Sequence, residues 1–183
     1  MGEPRITPRD LSTAPPEVVA AGADHERSHS ARLTNMKRTL LHSPLAFDAL
    51  MTWYPLRDRV AAFLGERATV IFAHAISDRT DCLICSTYFR RILIEWGEEP
   101  DSLRLSPEEG DLVEFARGLT VHPHEIPDGV YAKVAAGRTP EEMVALVTFG
   151  AIMLATNVFN NALEVPLDEY LAPYIRGARH GTV

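Results

Sequence analysis

Cysteine is almost missing from this chain: Cys82 and Cys85 are the only two, and no second pair exists. A structural zinc site ordinarily takes four ligands, as two such pairs or as one pair with spaced histidines. Of the seven histidines only His122 and His124 stand close together, on either side of Pro123. No metal site is therefore expected. Positive charge is scarce too: the formal net charge is −7 and the pI about 5.5. That balance gives no basic footprint for nucleic acid. No stretch approaches ~18 uninterrupted apolar residues, so no membrane span is expected. The first residues lack the apolar segment of a secretory leader, and Met1-Gly2 is not followed by Ser or Thr where myristoylation needs it. The expected setting is the cytoplasm. No alternating strand pattern, internal repeat or low-complexity tract is present.

What is present is helical periodicity and enough apolar residues, 46% of the chain, for a sizeable core. The length suits one domain. Residues 1–16, with Pro4, Pro8, Pro15 and Pro16, read as a flexible N-terminal arm, and residues 17–183 as one all-α domain. Ser43-Pro44, Ser106-Pro107 and Thr139-Pro140 each place a capping hydroxyl before a proline at the first helical position. They predict helices from Pro44, from Pro107 and from Pro140 to about Leu163. Further helices are expected over Pro16 to about Ala31, Leu56–Leu64, Glu66–Ile76, Asp128–Ala136 and Leu167–Ile175. The middle of the Pro140 helix is nearly continuous apolar sequence. It is expected at the bundle centre or at a subunit interface.

The two cysteines stand three apart, which puts both sulfurs on one side of a helical first turn. In a reducing compartment such a pair is more often catalytic or metal-binding than structural. Asp81 is the expected N-cap, making Cys82 the first helical residue and Cys85 the fourth. A thiolate there gains from unpaired amides and the helix dipole, so at least one thiol should ionise more easily than usual. Asp81 opposes that shift, while Arg79, Arg90 and Arg91 favour it. Such a thiolate attacks a peroxide or a disulfide, and the second thiol resolves the product. The plainer reading also stands: two small buried residues with no chemistry. A nucleophilic thiol needs a proton partner. His74, Asp78, Asp81 and Tyr88 are the nearest candidates, and His74 interrupts an apolar face.

A helix, then CxxC opening a second helix that ends at Gly97, then Thr139-Pro-Glu-Glu, a long apolar helix and Asn157-Val-Phe-Asn160-Asn161 resembles the carboxymuconolactone decarboxylase and alkyl hydroperoxidase D superfamily. The resemblance covers roughly residues 35–172. It implies a compact helical bundle of the alkyl hydroperoxidase D-like type and a homo-oligomer of two, three or six chains. It also implies Cys85 as the attacking sulfur and Cys82 as the resolving one, electrons from a thiol reductant, and no bound cofactor or metal. The family's proton relay has a glutamate twelve residues before the first cysteine and a histidine four after the second. Here those positions are Val70 and Phe89. His74 lies one turn beyond Val70 on roughly the same face and is the expected substitute.

The leading expectation is a dithiol enzyme reducing a small-molecule peroxide through Cys85 and Cys82, assisted by His74. Two alternatives are a lyase, decarboxylase or isomerase acting on a small metabolite, and a non-catalytic oligomer that binds a ligand. Trp53, Tyr54 and Trp96 read as core or interface aromatics ahead of pocket linings. His122-Pro-His124-Glu125 reads as a polar loop. Asn157, Asn160 and Asn161 are expected at a subunit interface ahead of a pocket. Arg176, Arg179 and His180 read as a solvated tail.

Overall fold

The computed structural model describes residues 3–177, and among them every regular element is helical. Nine α-helices and one 3-10 helix follow in order. They are α1 Pro16–His29, α2 Asn35–Leu40, α3 Pro44–Met51, α4 Trp53–Leu64, α5 Glu66–Arg79, α6 Leu83–Glu95, α7 Pro107–Val121, α8 Asp128–Ala135, α9 Pro140–Leu163 and the 3-10 helix Glu169–Tyr174.

The caps act as their sequences require. Ser106 and Thr139 close reciprocal capping boxes with Glu109 and Glu142. Ser43 accepts from the Ala46 amide at 3.4 Å. The short helix α2, capped by Thr34, has no counterpart among the expected elements; one and a half turns are too few to show a period. The expected helix from Leu167 to Ile175 is only the six-residue 3-10 turn. Pro173 lies inside it and supplies no amide to continue a ladder.

α5 forms the centre of the bundle. Every residue from Ala68 to Ser77 is buried, so this helix has no solvent face. Its hydroxyls are satisfied within the helix, Thr69 Oγ1 on Gly65 O at 2.8 Å and Ser77 Oγ on Ala73 O at 2.9 Å. α4, α6, α7 and α9 pack around it. The fully buried Phe72 and Phe149 lie between α5 and α9, each stabilising the fold by about 1.5–3 kcal/mol. A second cluster, Val18, Leu40, Leu41 and Phe47, joins α1–α3 and touches Phe159 of α9.

α9 buries one face only. Leu146, Phe149, Met153 and Asn157 point inward, while Val144, Val147 and Val158 are exposed. By length and composition alone it is apolar enough to cross a membrane. Its inner face is instead built into the core against α4, α5 and α7.

Residues 3–15 hold no helix and are tied to the bundle. The Arg5 amide donates to Leu163 O at 3.1 Å, its guanidinium to Ala162 O at 2.9 Å, and the Arg9 amide to Arg38 O at 3.2 Å. Arg176, expected in a solvated tail, pairs with Asp78 at 3.0 Å and with Asp101 at 2.8 Å. Arg179 and His180 lie outside the described residues.

Gly150 of α9 packs closely against α5 and α7. A Cβ there would meet Leu119 Cδ1 at 3.0 Å and Phe72 Cζ at 3.3 Å. Gly150→Val should therefore overpack this crossing and cost about 1–3 kcal/mol. A fall in urea midpoint at unchanged slope is the expected readout, and an unmoved midpoint would refute the close-packing account.

Candidate active site

The turn between α5 and α6 sets the sulfurs in place. Asp81 is in the left-handed region at φ 51°, and the Cys82 amide donates back to Ser77 O at 3.1 Å. The N-cap of α6 is Cys82, not Asp81. The expected register was therefore one residue early, because a side-chain oxygen at position 81 looked like the natural cap. With Cys82 as N-cap, its sulfur occupies the place of a capping oxygen. The Ile84 and Cys85 amides are close enough to stabilise negative charge on it, although neither closes a hydrogen bond to it.

Both cysteines are free and buried, and they come within 3.5 Å of each other. Asn160 of α9 reaches across the bundle to both. Its Nδ2 donates to Cys85 Sγ at 3.3 Å and to Cys82 Sγ at 3.8 Å. The Cys85 thiol as hydrogen-bond donor is the largest influence on Cys82 and brings it down to about 7 despite burial; the nearby amides and Asn160 add to this. Cys85 moves the other way. Donation to Cys82 holds its proton in place, and burial pushes it further up. The two thiols titrate as a pair, with Cys82 the easier of the two to ionise.

The neighbouring asparagines hold the α5–α6 turn. Asn157 Nδ2 donates to Thr80 Oγ1 at 2.8 Å and Asn161 Nδ2 to Thr80 O at 2.9 Å. All three clamp α9 onto the α5–α6 turn. Asn160 was missed as a site residue. The available signal was an amide on an otherwise apolar helix, where a buried polar group needs a partner.

A cavity of about 530 Å³ opens beside the pair. Cys85 lines it; Cys82, fully enclosed, does not. Ile84, Tyr88 and Phe89 of α6 form one wall, Met153 and Thr156 of α9 another, and Trp53, Tyr54 and Lys37 a third. Tyr170, Leu171 and Tyr174 of the 3-10 helix close the side. Trp53 and Tyr54 are thus cavity walls as well as packed aromatics, with Trp53 Nε1 donating to Met153 Sδ at 2.9 Å. Trp96 is about half exposed and lies elsewhere.

His74 does not line the cavity. The charged groups acting on it are Asp78, Arg90, Arg176 and Asp101, and burial holds it neutral, down to about 4. Its Nε2 has no partner. Arg90 and Arg91, expected to favour the thiolate, are held by Asp101 at 2.8 Å and by Glu95 at 2.7 Å. The relay positions Val70 and Phe89 are both buried. His122 and His124 are exposed in their loop. Among the described residues no three His, Cys, Asp or Glu side chains converge as a metal set would.

No protein-family model matches the sequence, and no curated protein matches it. Solved structures do match in shape. One is an AhpD-core, uncharacterized peroxidase-related protein from Ralstonia eutropha JMP134, with TM-score 0.72 and 16% identity. That match covers 98% of this chain and 100% of the other. Another is the debrominase Bmp8, with TM-score 0.72 and 18% identity, over 92% of this chain and 95% of that one. The chain has the AhpD-core fold. Its resemblance to the alkyl hydroperoxidase D group therefore holds in architecture, and at these identities the likeness speaks for fold alone.

If Cys85 is the main support of the Cys82 thiolate, thiolate absorbance should show one group titrating near about 7 in wild type. Cys85→Ala should move that titration up toward the ordinary thiol range, and Asn160→Ala should move it up by less. A Cys82 titration unmoved in Cys85→Ala would exclude Cys85 as that support.

Proposed function

We propose that this protein is a thiol-dependent peroxide reductase that uses Cys85 as nucleophile and Cys82 as proton acceptor and resolving thiol. One observation carries the reading: two free thiols lie side by side under one asparagine donor, and only Cys85 faces the cavity. A hydroperoxide in the cavity meets the Cys85 sulfur. As that sulfur attacks the outer peroxide oxygen, its proton passes to the Cys82 sulfur and the O–O bond breaks. Cys85 becomes a sulfenic acid and the substrate leaves as an alkoxide, which is protonated to the alcohol. Cys82 then attacks the Cys85 sulfur, the sulfenic oxygen departs as water, and a disulfide forms. One proton is drawn from solvent, because Cys82 entered the cycle ionised. An external thiol reductant returns the pair to dithiol, with the cytoplasm as the proposed setting. Cys82 thereby fills the proton-accepting role that the sequence had suggested for His74.

A second reading is supported by the apolar relay positions and by a debrominase sharing the fold. Here the cavity serves a non-redox reaction on a small organic metabolite, and the sulfurs are structural. A stoichiometric pulse of cumene hydroperoxide separates the two. The redox reading expects rapid loss of two thiols, reversed by a dithiol. It also expects no turnover in Cys85→Ser and a sulfenic acid that dimedone traps in Cys82→Ser. Thiols that stay unreactive in the folded protein would sink it, and rapid loss of the remaining thiol in Cys85→Ser would make Cys82 the nucleophile.

We further propose a homo-oligomer. Val144, Val147, Ala151, Ala155 and Val158 form one exposed apolar stripe along α9. Sedimentation velocity should give an assembly in wild type and smaller species in a Val144→Asp, Val158→Asp variant. A monomeric wild type would overturn the proposal.

A further inference from the structure

The cavity carries a second polar feature that the dithiol chemistry does not use. Lys37 on α2 is buried, 6% exposed, and its ammonium sits in the wall between two other lining residues. Nζ donates to Arg32 O at 2.7 Å and to Tyr54 Oη at 2.8 Å. An ammonium has three donors, so one N–H is left without a partner. No carboxylate reaches ion-pair distance of it among the described residues. The nearest acids acting on it are Glu26 and Asp168. Asp168 also lines the cavity: its Oδ1 accepts from the Asn35 amide at 2.9 Å, its Oδ2 is buried without a partner, and burial pushes its carboxyl up toward the neutral form. A buried cation without a counter-ion is costly, and burial accordingly brings Lys37 down to about 8.

Arg32 repeats the pattern at the rim. It is exposed, it packs over the Tyr170 ring at 4.9 Å, and its guanidinium makes no ion pair among the described residues. Arg91, the remaining cation of the lining, is already neutralised by Glu95. The cavity lining therefore holds two cations, Lys37 and Arg32, without an ion-paired acid among the described residues. Apolar surface from Met36, Trp53, Met153 and Phe89 lines the same cavity as Cys85.

We infer that the cavity takes an amphipathic organic acid, with its carboxylate on Lys37 and Arg32 and its apolar body along the wall toward Cys85. Under the reading proposed above, the substrate is a hydroperoxide of such an acid: the carboxylate anchors one end and the peroxide oxygen meets the sulfur at the other. Binding supplies the counter-ion that Lys37 lacks and fills its free N–H with a charge-assisted hydrogen bond.

The test is calorimetric binding of decanoate and of decanol to Cys85→Ser protein, where no redox step intervenes. Decanoate should bind at least about tenfold tighter than decanol, the usual worth of one charge-assisted hydrogen bond. Lys37→Met should erase the difference, and Lys37→Arg should restore part of it. Equal affinities in the Cys85→Ser protein overturn the inference without recourse to a Lys37 variant. So does a preference that survives Lys37→Met. Failure of peroxide turnover alongside a Lys37-dependent preference supports the acid site and removes only the redox reading. Turnover of cumene hydroperoxide alongside equal affinities removes only the acid site.

Discussion

Making one sulfur easier to ionise inside an apolar bundle is the constraint around which the rest of this structure is arranged. Burial alone drives both thiols toward the neutral form. Three features oppose it, and each comes from a different level of the fold. The turn through left-handed Asp81 makes Cys82 an N-cap, which turns the open amides of α6 toward its sulfur. The i, i+3 spacing brings the Cys85 thiol round as a donor. Asn160 arrives from a helix that begins almost sixty residues later in the chain, and its own Oδ1 stays buried without a partner. That orphaned acceptor is a cost carried by the fold, and it belongs to the residue that grips the sulfurs.

The helical architecture could be read from the sequence because its signals are local. The hydroxyl–proline starts at Ser43, Ser106 and Thr139 and the stops at Gly65, Gly97 and Gly137 need only neighbouring residues to act. The cysteine pair was legible for the same reason. Features that depend on tertiary placement were not. Asp81 scores as the better cap by side-chain chemistry, but the tertiary turn gives that place to Cys82. Asn157, Asn160 and Asn161 look alike on a helical wheel, and only the packing of α9 on the α5–α6 corner shows which one meets sulfur. His74 has the right spacing for a relay base, yet its surroundings are the Arg90–Asp101–Arg176 ion pairs. Spacing fixes a face of a helix and leaves open what faces it.

The same reasoning explains why a shared fold says little about chemistry here. An AhpD-core protein and a debrominase both overlay on this chain at under one-fifth identity. What the bundle supplies here is a corner between two helices and a side cavity. At the positions where the group it resembles carries its relay, this chain has Val70 and Phe89, and Cys82 and Cys85 are each other's close neighbours.

One wall of the cavity is unlike the others. Tyr170, Leu171 and Tyr174 belong to a short 3-10 turn, fastened by Tyr174 O on Arg90 and, just beyond, by Arg176 on Asp78 and Asp101. None of those fastenings touches Cys82, Cys85 or Asn160. Changes in this strap can therefore reshape the cavity wall while the two sulfurs and Asn160 stay as they are. The shape of the cavity and the setting of the sulfurs are in this sense written in separate stretches of the chain, and a lineage could drift in one without putting the other at risk.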